Sequence, residues 1–144
     1  MPDFRLHDIP IPTGPYEIVE LEINGRRPLS DFLDQQKKAG NRREIIRFQT
    51  YLAELAQGSD LPLKTLKRLR GQSDSDGWDE YEIRVGRLRF YLFYEPPSRR
   101  IVVLGELKKT VKKKDNKEQR RNIEHLREIK ARYRAQQQTK PPRT

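Results

Sequence analysis

The sequence predicts an α+β fold: a small, antiparallel-dominated sheet packed by an N-terminal helical hairpin, with one more helix at the C-terminal end. Three observations predict it. Residues 28–58 place apolar side chains at helical spacing in two runs separated by Gly40-Asn41. Residues 78–107 alternate as strands do, interrupted by Gly86-Arg87 and by Pro96-Pro97-Ser98. Residues 115–133 then return to helical spacing. A length of 144 residues suits one domain.

In chain order, residues 1–15 hold four prolines and no period, and are expected to be a flexible arm. Tyr16 to Ile23 alternates, with Val19, Leu21 and Ile23 on one side and Glu20 and Glu22 on the other, which predicts a half-buried strand closed by Asn24-Gly25. Pro28 suits a first helical position, Leu29, Phe32 and Leu33 form one stripe, and Gly40 ends the helix. Asn41 with Glu44 resembles a capping box, and Ile45, Phe48, Leu52 and Leu55 follow up to Gly58. Leu61 to Leu69 mixes leucine with Lys64, Lys67 and Arg68 and reads as a linker with at most one helical turn. Three strands follow over 78–85, 88–94 and 101–107, the first two joined by Gly86-Arg87 with glycine where a type II′ turn requires it. Asp115 and Glu118 open the last helix, whose stripe is Ile123, Leu126, Ile129 or Lys130, and Tyr133. The segment 134–144 is Gln-, Lys-, Pro- and Arg-rich and is expected to be a disordered basic tail, which bounds the domain at 16–133.

Charge narrows the function. The formal net charge is +10, which points to nucleic acid, an anionic surface or an acidic partner. The charge is also uneven: the first 60 residues carry 8 basic and 10 acidic side chains, and the remaining residues carry 23 and 11. A localised basic patch is therefore expected. The chain has no cysteine, and His7 and His125 are far apart, so neither a disulfide nor a zinc site is expected, and no cofactor is implied. The N-terminus has no apolar signal-like core and no stretch reaches membrane-spanning length, so a cytoplasmic protein without a membrane partner is expected.

The Gly86-Arg87 turn fixes the pairing of its strands. Val85 opposes Leu88, Arg84 opposes Arg89, Ile83 opposes Phe90 and Glu82 opposes Tyr91. Tyr81, Ile83, Val85, Leu88, Phe90 and Leu92 then form the core face, leaving Glu82, Arg84, Arg89, Tyr91 and Phe93 on the other. Two arginines directly opposite repel, by about 0.2–1 kcal/mol for a cross-strand pair. Glu82 offsets part of that, and a bound phosphate would offset more, because guanidinium grips phosphate with two donors. The plainer reading is a solvated strand face with Glu82 as ion-pair partner. Tyr91 and Phe93 on such a face stack unpaired bases if exposed, or pack beneath a helix, the expected fate of Phe93. Lys108, Lys109, Lys112, Lys113 and Lys114 leave the last strand, and Arg120 and Arg121 continue the run on the last helix. A lysine run is often just solvated, but here it would add a salt-dependent field for nucleic acid.

Taken in order, Tyr-Glu-Ile-Arg-Val, Arg-Leu-Arg-Phe-Tyr-Leu-Phe-Tyr and Arg-Ile-Val-Val-Leu-Gly-Glu-Leu-Lys-Lys-Thr-Val-Lys-Lys resemble the RelE/ParE toxin superfamily, in its HigB-like, phage-derived branch. So do the upstream Asn-Gly-Arg-Arg-Pro-Leu-Ser-Asp-Phe-Leu and Leu-Lys-Thr-Leu-Lys-Arg-Leu-Arg-Gly. The likeness spans residues 16–133 and lies in the order and spacing of short motifs. It implies the element order β-α-α-β-β-β-α and the toxin of a type II toxin–antitoxin pair. Such a toxin is a ribosome-dependent, metal-independent mRNA endonuclease (an mRNA interferase), neutralised by a small antitoxin, often a helix-turn-helix protein. In that chemistry the ribose 2′-hydroxyl attacks the adjacent phosphate, which needs a base, a stabiliser of the phosphorane and an acid. The resemblance carries the basic roles to Arg84, Arg89, Lys108 and Lys109. It leaves Glu82 and Tyr91 as alternatives for the remaining role, because the tyrosine that some members place after the basic pair is absent here. Two other readings stay open: a ParE-like inhibitor of DNA gyrase, and a non-catalytic protein that keeps only a nucleic-acid or antitoxin surface.

Overall fold

The computed structural model describes residues 2–69, 77–108 and 115–139. The elements are β1 (Phe4–Asp8), β2 (Glu17–Ile23), α1 (Pro28–Lys38), α2 (Arg42–Ala56), β3 (Leu66–Arg68), β4 (Glu80–Val85), β5 (Leu88–Glu95), β6 (Arg99–Leu107) and α3 (Asp115–Thr139). All six strands form one sheet in the order β1-β2-β6-β5-β4-β3. Four pairings are antiparallel and one, β2 with β6, is parallel. The fold is therefore α+β with a mostly antiparallel sheet, and it carries two strands that the sequence reading did not place.

Both added strands are edges. Residues 4–8, expected in a flexible arm, pair with β2, Phe4 opposite Ile23 and Leu6 opposite Leu21. Phe4 also packs against Tyr133, 6.1 Å between ring centroids. Three of the four prolines that suggested disorder, Pro10, Pro12 and Pro15, lie after this strand. Residues 66–68, expected in a linker, pair with β4 over three positions, too short a run for alternation to reveal. The last helix continues to Thr139, past the expected boundary at 133, while residues 140–144 lie outside the described residues.

The first face of the sheet is covered by α1 and α2. Leu29, Phe48, Leu52 and Leu55 from the helices meet Ile83, Val85, Leu88, Phe90 and Leu92 from the strands. Phe48 stacks on Phe90 at 3.6 Å between centroids. The helix ends depart from the sequence reading. Asn41 makes no capping bond, and its Nδ2 donates instead to Gln36 Oε1 at 2.7 Å. The start of α1 is capped from the sheet: Glu20 of β2 accepts from Ser30 N at 2.8 Å, Ser30 Oγ at 2.6 Å and Arg27 Nη2 at 2.5 Å. A carboxylate at a helix N-terminus satisfies unpaired amides and opposes the dipole. Glu20 is therefore buried, and β2 has both faces covered where one was expected to be solvated.

The second face is covered by α3. Val19, Leu21, Tyr91, Phe93, Ile101 and Val103 pack against Leu126, Ile129 and Tyr133. Trp78 stacks near Phe93, with 6.1 Å between centroids. Of the two fates left open for these aromatics, packing beneath a helix is the observed one: Tyr91 and Phe93 are fully buried. The face that carries the arginines is a second core, with polar groups set into it.

Candidate functional site

The predicted pairing is the observed one. Val85 opposes Leu88, Arg84 opposes Arg89 and Glu82 opposes Tyr91. Gly86 sits at φ +59°, the left-handed region its turn position requires, and Arg87 is not in that region. Across the next pair, Arg89 opposes Glu106 and Tyr91 opposes Leu104. The α3 side of the sheet is thus ruled into rows. Arg84, Arg89 and Glu106 lie nearest the hairpin tip, then Glu82 and Tyr91, then Glu80 and Phe93.

Glu82 is fully buried between the two arginines. Its Oε2 accepts from Arg84 Nε at 3.2 Å. Its Oε1 accepts from Gln119 Nε2 at 3.1 Å and lies 3.6 Å from Arg89 Nε. That last separation is an ion pair and not a hydrogen bond, and Arg89 Nε is buried with no hydrogen-bond acceptor among the described residues. Arg89 Nη1 turns back on the hairpin, donating to the Gly86 carbonyl at 2.7 Å and the Leu88 carbonyl at 3.0 Å. The Arg84 side chain is 33% exposed and that of Arg89 15%. Among the described residues, only Nε of the Arg84 guanidinium has a partner. Among the described residues Glu82 is therefore the shared counter-charge of the pair, and Arg84 is its more exposed member.

Tyr91 belongs to the same network but not to its accessible part. Its hydroxyl donates to Glu106 Oε1 at 2.7 Å, and Asn122 Nδ2 donates to the same oxygen at 2.9 Å. Burial, followed by the hydrogen bond and the charge of Glu106, pushes the Tyr91 phenol well above its ordinary pKa. Its phenol therefore holds its proton at neutral pH. Lys108 is half-buried at the end of β6, where its backbone amide donates to the Arg87 carbonyl at 2.8 Å. Arg120 and Arg121 are exposed on α3, directly after Gln119. Lys109, Lys112, Lys113 and Lys114 lie outside the described residues.

The structure also reveals groups that the sequence reading passed over. Glu80 is buried and accepts from Arg127 Nε at 2.8 Å and from Lys130 Nζ. Lys130 Nζ also donates to the Trp78 carbonyl at 2.8 Å. Glu80, Glu82 and Glu106 thus form three buried carboxylates met by Lys130, Arg127, Gln119 and Asn122 of α3. Their signal was present as acidic residues alternating at 80 and 82 and polar side chains on the apolar stripe of the helix. Among the described residues, no group of three or more His, Cys, Asp or Glu is placed to hold a metal ion, and no helix is long and apolar enough to cross a membrane.

A comparison with protein-family models finds no match, and none is found among curated proteins or solved structures. The functional reading therefore rests on the residues themselves and on the resemblance described above.

Proposed function

We propose that this chain is the toxin of a toxin–antitoxin pair, acting as a ribosome-dependent mRNA endonuclease through the arginine pair at the hairpin end of the sheet. One observation carries the reading. Two guanidinium groups on adjacent strands share the buried carboxylate of Glu82, with Arg89 Nε unfilled among the described residues and Arg84 one-third exposed. The neighbouring Glu106 is engaged by Tyr91 and Asn122, so a phosphodiester would meet guanidinium donors that the carboxylates leave unfilled. Arg87 and Lys108 lie at the same end of the sheet, which strengthens the local potential.

In this reading the 2′-hydroxyl oxygen attacks the adjacent phosphorus, the bond to the 5′-oxygen breaks, and a cyclic phosphate remains. Arg84 and Arg89 bear the charge that develops on the phosphorane oxygens. Between the two alternatives for the base, the buried, proton-holding Tyr91 is the poorer, and Glu82 takes the role once Arg84 and Arg89 turn towards phosphate. Gln119 must also release Glu82 for that step.

The engagement of Glu82 and the burial of Tyr91 favour one second reading, a protein that binds RNA or an antitoxin at the arginine pair without cutting. Expression in a bacterial host separates the two. The nuclease gives growth arrest and new 5′ ends in ribosome-bound message, both reduced at least about tenfold by Arg84→Ala. Intact message with wild-type protein selects the binding reading, and trapped gyrase with intact message selects a ParE-like activity. Undiminished cleavage by Arg84→Ala, with normal folding, removes the arginine mechanism.

A further inference from the structure

A second arginine site lies at the opposite end of the sheet, on the face that packs against α1 and α2. Arg100 of β6 opposes Tyr94 of β5. Its guanidinium carbon sits 5.1 Å from the Tyr81 ring centroid and 5.5 Å from that of Tyr94. Two of its nitrogens, Nε and Nη1, are buried and have no hydrogen-bond partner among the described residues. Other cations against the sheet find an acid: buried Lys130 of α3 has Glu80, and the partly exposed Arg99, next to Arg100 in the chain, has Glu17 at 2.9 Å and Glu95 at 2.7 Å. Among the described residues, Arg100 meets only ring faces. Aromatic faces attract the cation but do not accept its N–H groups in the plane of the guanidinium.

Arg100 and Tyr81 line a pocket of about 420 Å³ together with Tyr16, Leu55, Leu61 and Leu66. The lining mixes these tyrosines and leucines with Ser59, Asp60 and Arg68, and is close to equally polar and apolar; the unpaired Arg100 nitrogens lie closed beneath that wall. Apolar walls with a few convergent polar groups characterise small-molecule sites. The volume is that of a compact ligand with one ring system. The nearest acid on the lining, Asp60, is exposed at the rim, and the other cation, Arg68, is paired with Asp79 at 2.9 Å.

We propose that this pocket binds a small aromatic oxyanion, a planar ring body bearing one carboxylate or phosphate, with the oxyanion on Arg100 and the ring beside Tyr81 and Tyr16. The shared chemistry is the fork of guanidinium donors matched to two oxygens of the anion. The site is independent of the Arg84–Arg89 pair, on the other face and at the other end of the strands, so loss of one leaves the other intact.

The test is calorimetric titration of the full chain with benzoate, adenosine monophosphate and inorganic phosphate, for wild type, Arg100→Gln and Arg84→Ala. Saturable binding of benzoate or of the nucleotide, stronger than that of inorganic phosphate and weakened about tenfold or more by Arg100→Gln, supports the proposal. The stronger of the two aromatic ligands identifies carboxylate or phosphate as the anion. Arg84→Ala leaves this binding unchanged. Arg100→Lys keeps the charge but not the fork, and a loss of affinity there with an unchanged thermal midpoint assigns the effect to recognition. Binding of none of the three probes, or equal binding by Arg100→Gln, overturns the proposal and leaves Arg100 as a packing group between two tyrosines. Loss of nucleotide binding in Arg84→Ala but not in Arg100→Gln also overturns it, by placing the ligand at the other site.

Discussion

Replacing Glu80 with glutamine keeps the volume of the side chain and removes its charge. In the native protein Glu80 is 5% exposed and receives Arg127 Nε on one oxygen and Lys130 Nζ on the other. The Lys130 side chain is itself only 8% exposed. The substitution removes the carboxylate that Lys130 Nζ and Arg127 Nε share, which is the costly way to break a buried pair. Removing one partner of such a pair typically costs about 3–5 kcal/mol. Arg127 is 31% exposed and recovers solvation, so the low end applies, about 3 kcal/mol. With a urea slope of about 2 kcal/mol per molar, the midpoint falls by about 1.5 M. Trp78, the only tryptophan, packs beside Phe93 and Tyr133 under the same helix and reports the transition by fluorescence. Adding Lys130→Met to Glu80→Gln removes the buried cation as well and is expected to restore more than half of the loss. A single-mutant cost under about 1 kcal/mol, or additivity within about 0.5 kcal/mol in the cycle, refutes the claim that this pair anchors α3.

Three further outcomes are expected. A Cβ at Gly105 would lie 2.3 Å from Phe32 Cδ2, so Gly105→Ala separates α1 from β6 and costs about 1–3 kcal/mol by overpacking, measured by urea denaturation. Tyr91 and Tyr133 both have phenols pushed above their ordinary pKa, chiefly by burial. Because the folded-state value is the higher one, their contribution to stability is intact below the unfolded value of about 10 and is lost as pH rises beyond it. Spectrophotometric titration should show both ionising only with alkaline unfolding, and Tyr91→Phe should blunt the fall in stability above about pH 10; a fall of unchanged steepness contradicts the assignment. Arg84→Lys should lose most of any cleavage activity, since a point charge does not replace the guanidinium fork, while its melting temperature stays close to that of the wild type.

Local pattern made much of this fold legible. The Gly86-Arg87 turn fixed the register of its hairpin, and with it the meeting of Arg84 and Arg89 across the strands. The stripes through Phe48, Leu52 and Leu55 and through Leu126 and Tyr133 likewise marked buried helix faces. What escaped depends on contacts remote in sequence. Residues 4–8 form a strand because β2 offers them an edge, and residues 66–68 because β4 does. Asn41 failed as a cap although its type and spacing were right. Ser30, in the first turn of the preceding helix, gained a cap from Glu20, ten residues upstream in a strand. The site was legible in its arginines but not in its cover. A face holding two arginines and a glutamate looks solvated, and only the polar residues interleaved on the α3 stripe indicate that a helix lies over it.

The parallel pairing of β2 with β6 joins residues 17–20 to residues 99–102. During synthesis the first hairpin of helices leaves the ribosome well before its central strand exists. Ile18, Val19 and Leu21 then have no neighbour on one side, and the apolar stripes of α1 and α2 have no sheet to cover. Pairings of such long sequence separation form late, since the intervening loop must close before any contact rewards it. The nascent chain is therefore sticky for most of its translation, and the strand and helix that enclose the arginine pair and its carboxylate, β6 and α3, are made only in the final third.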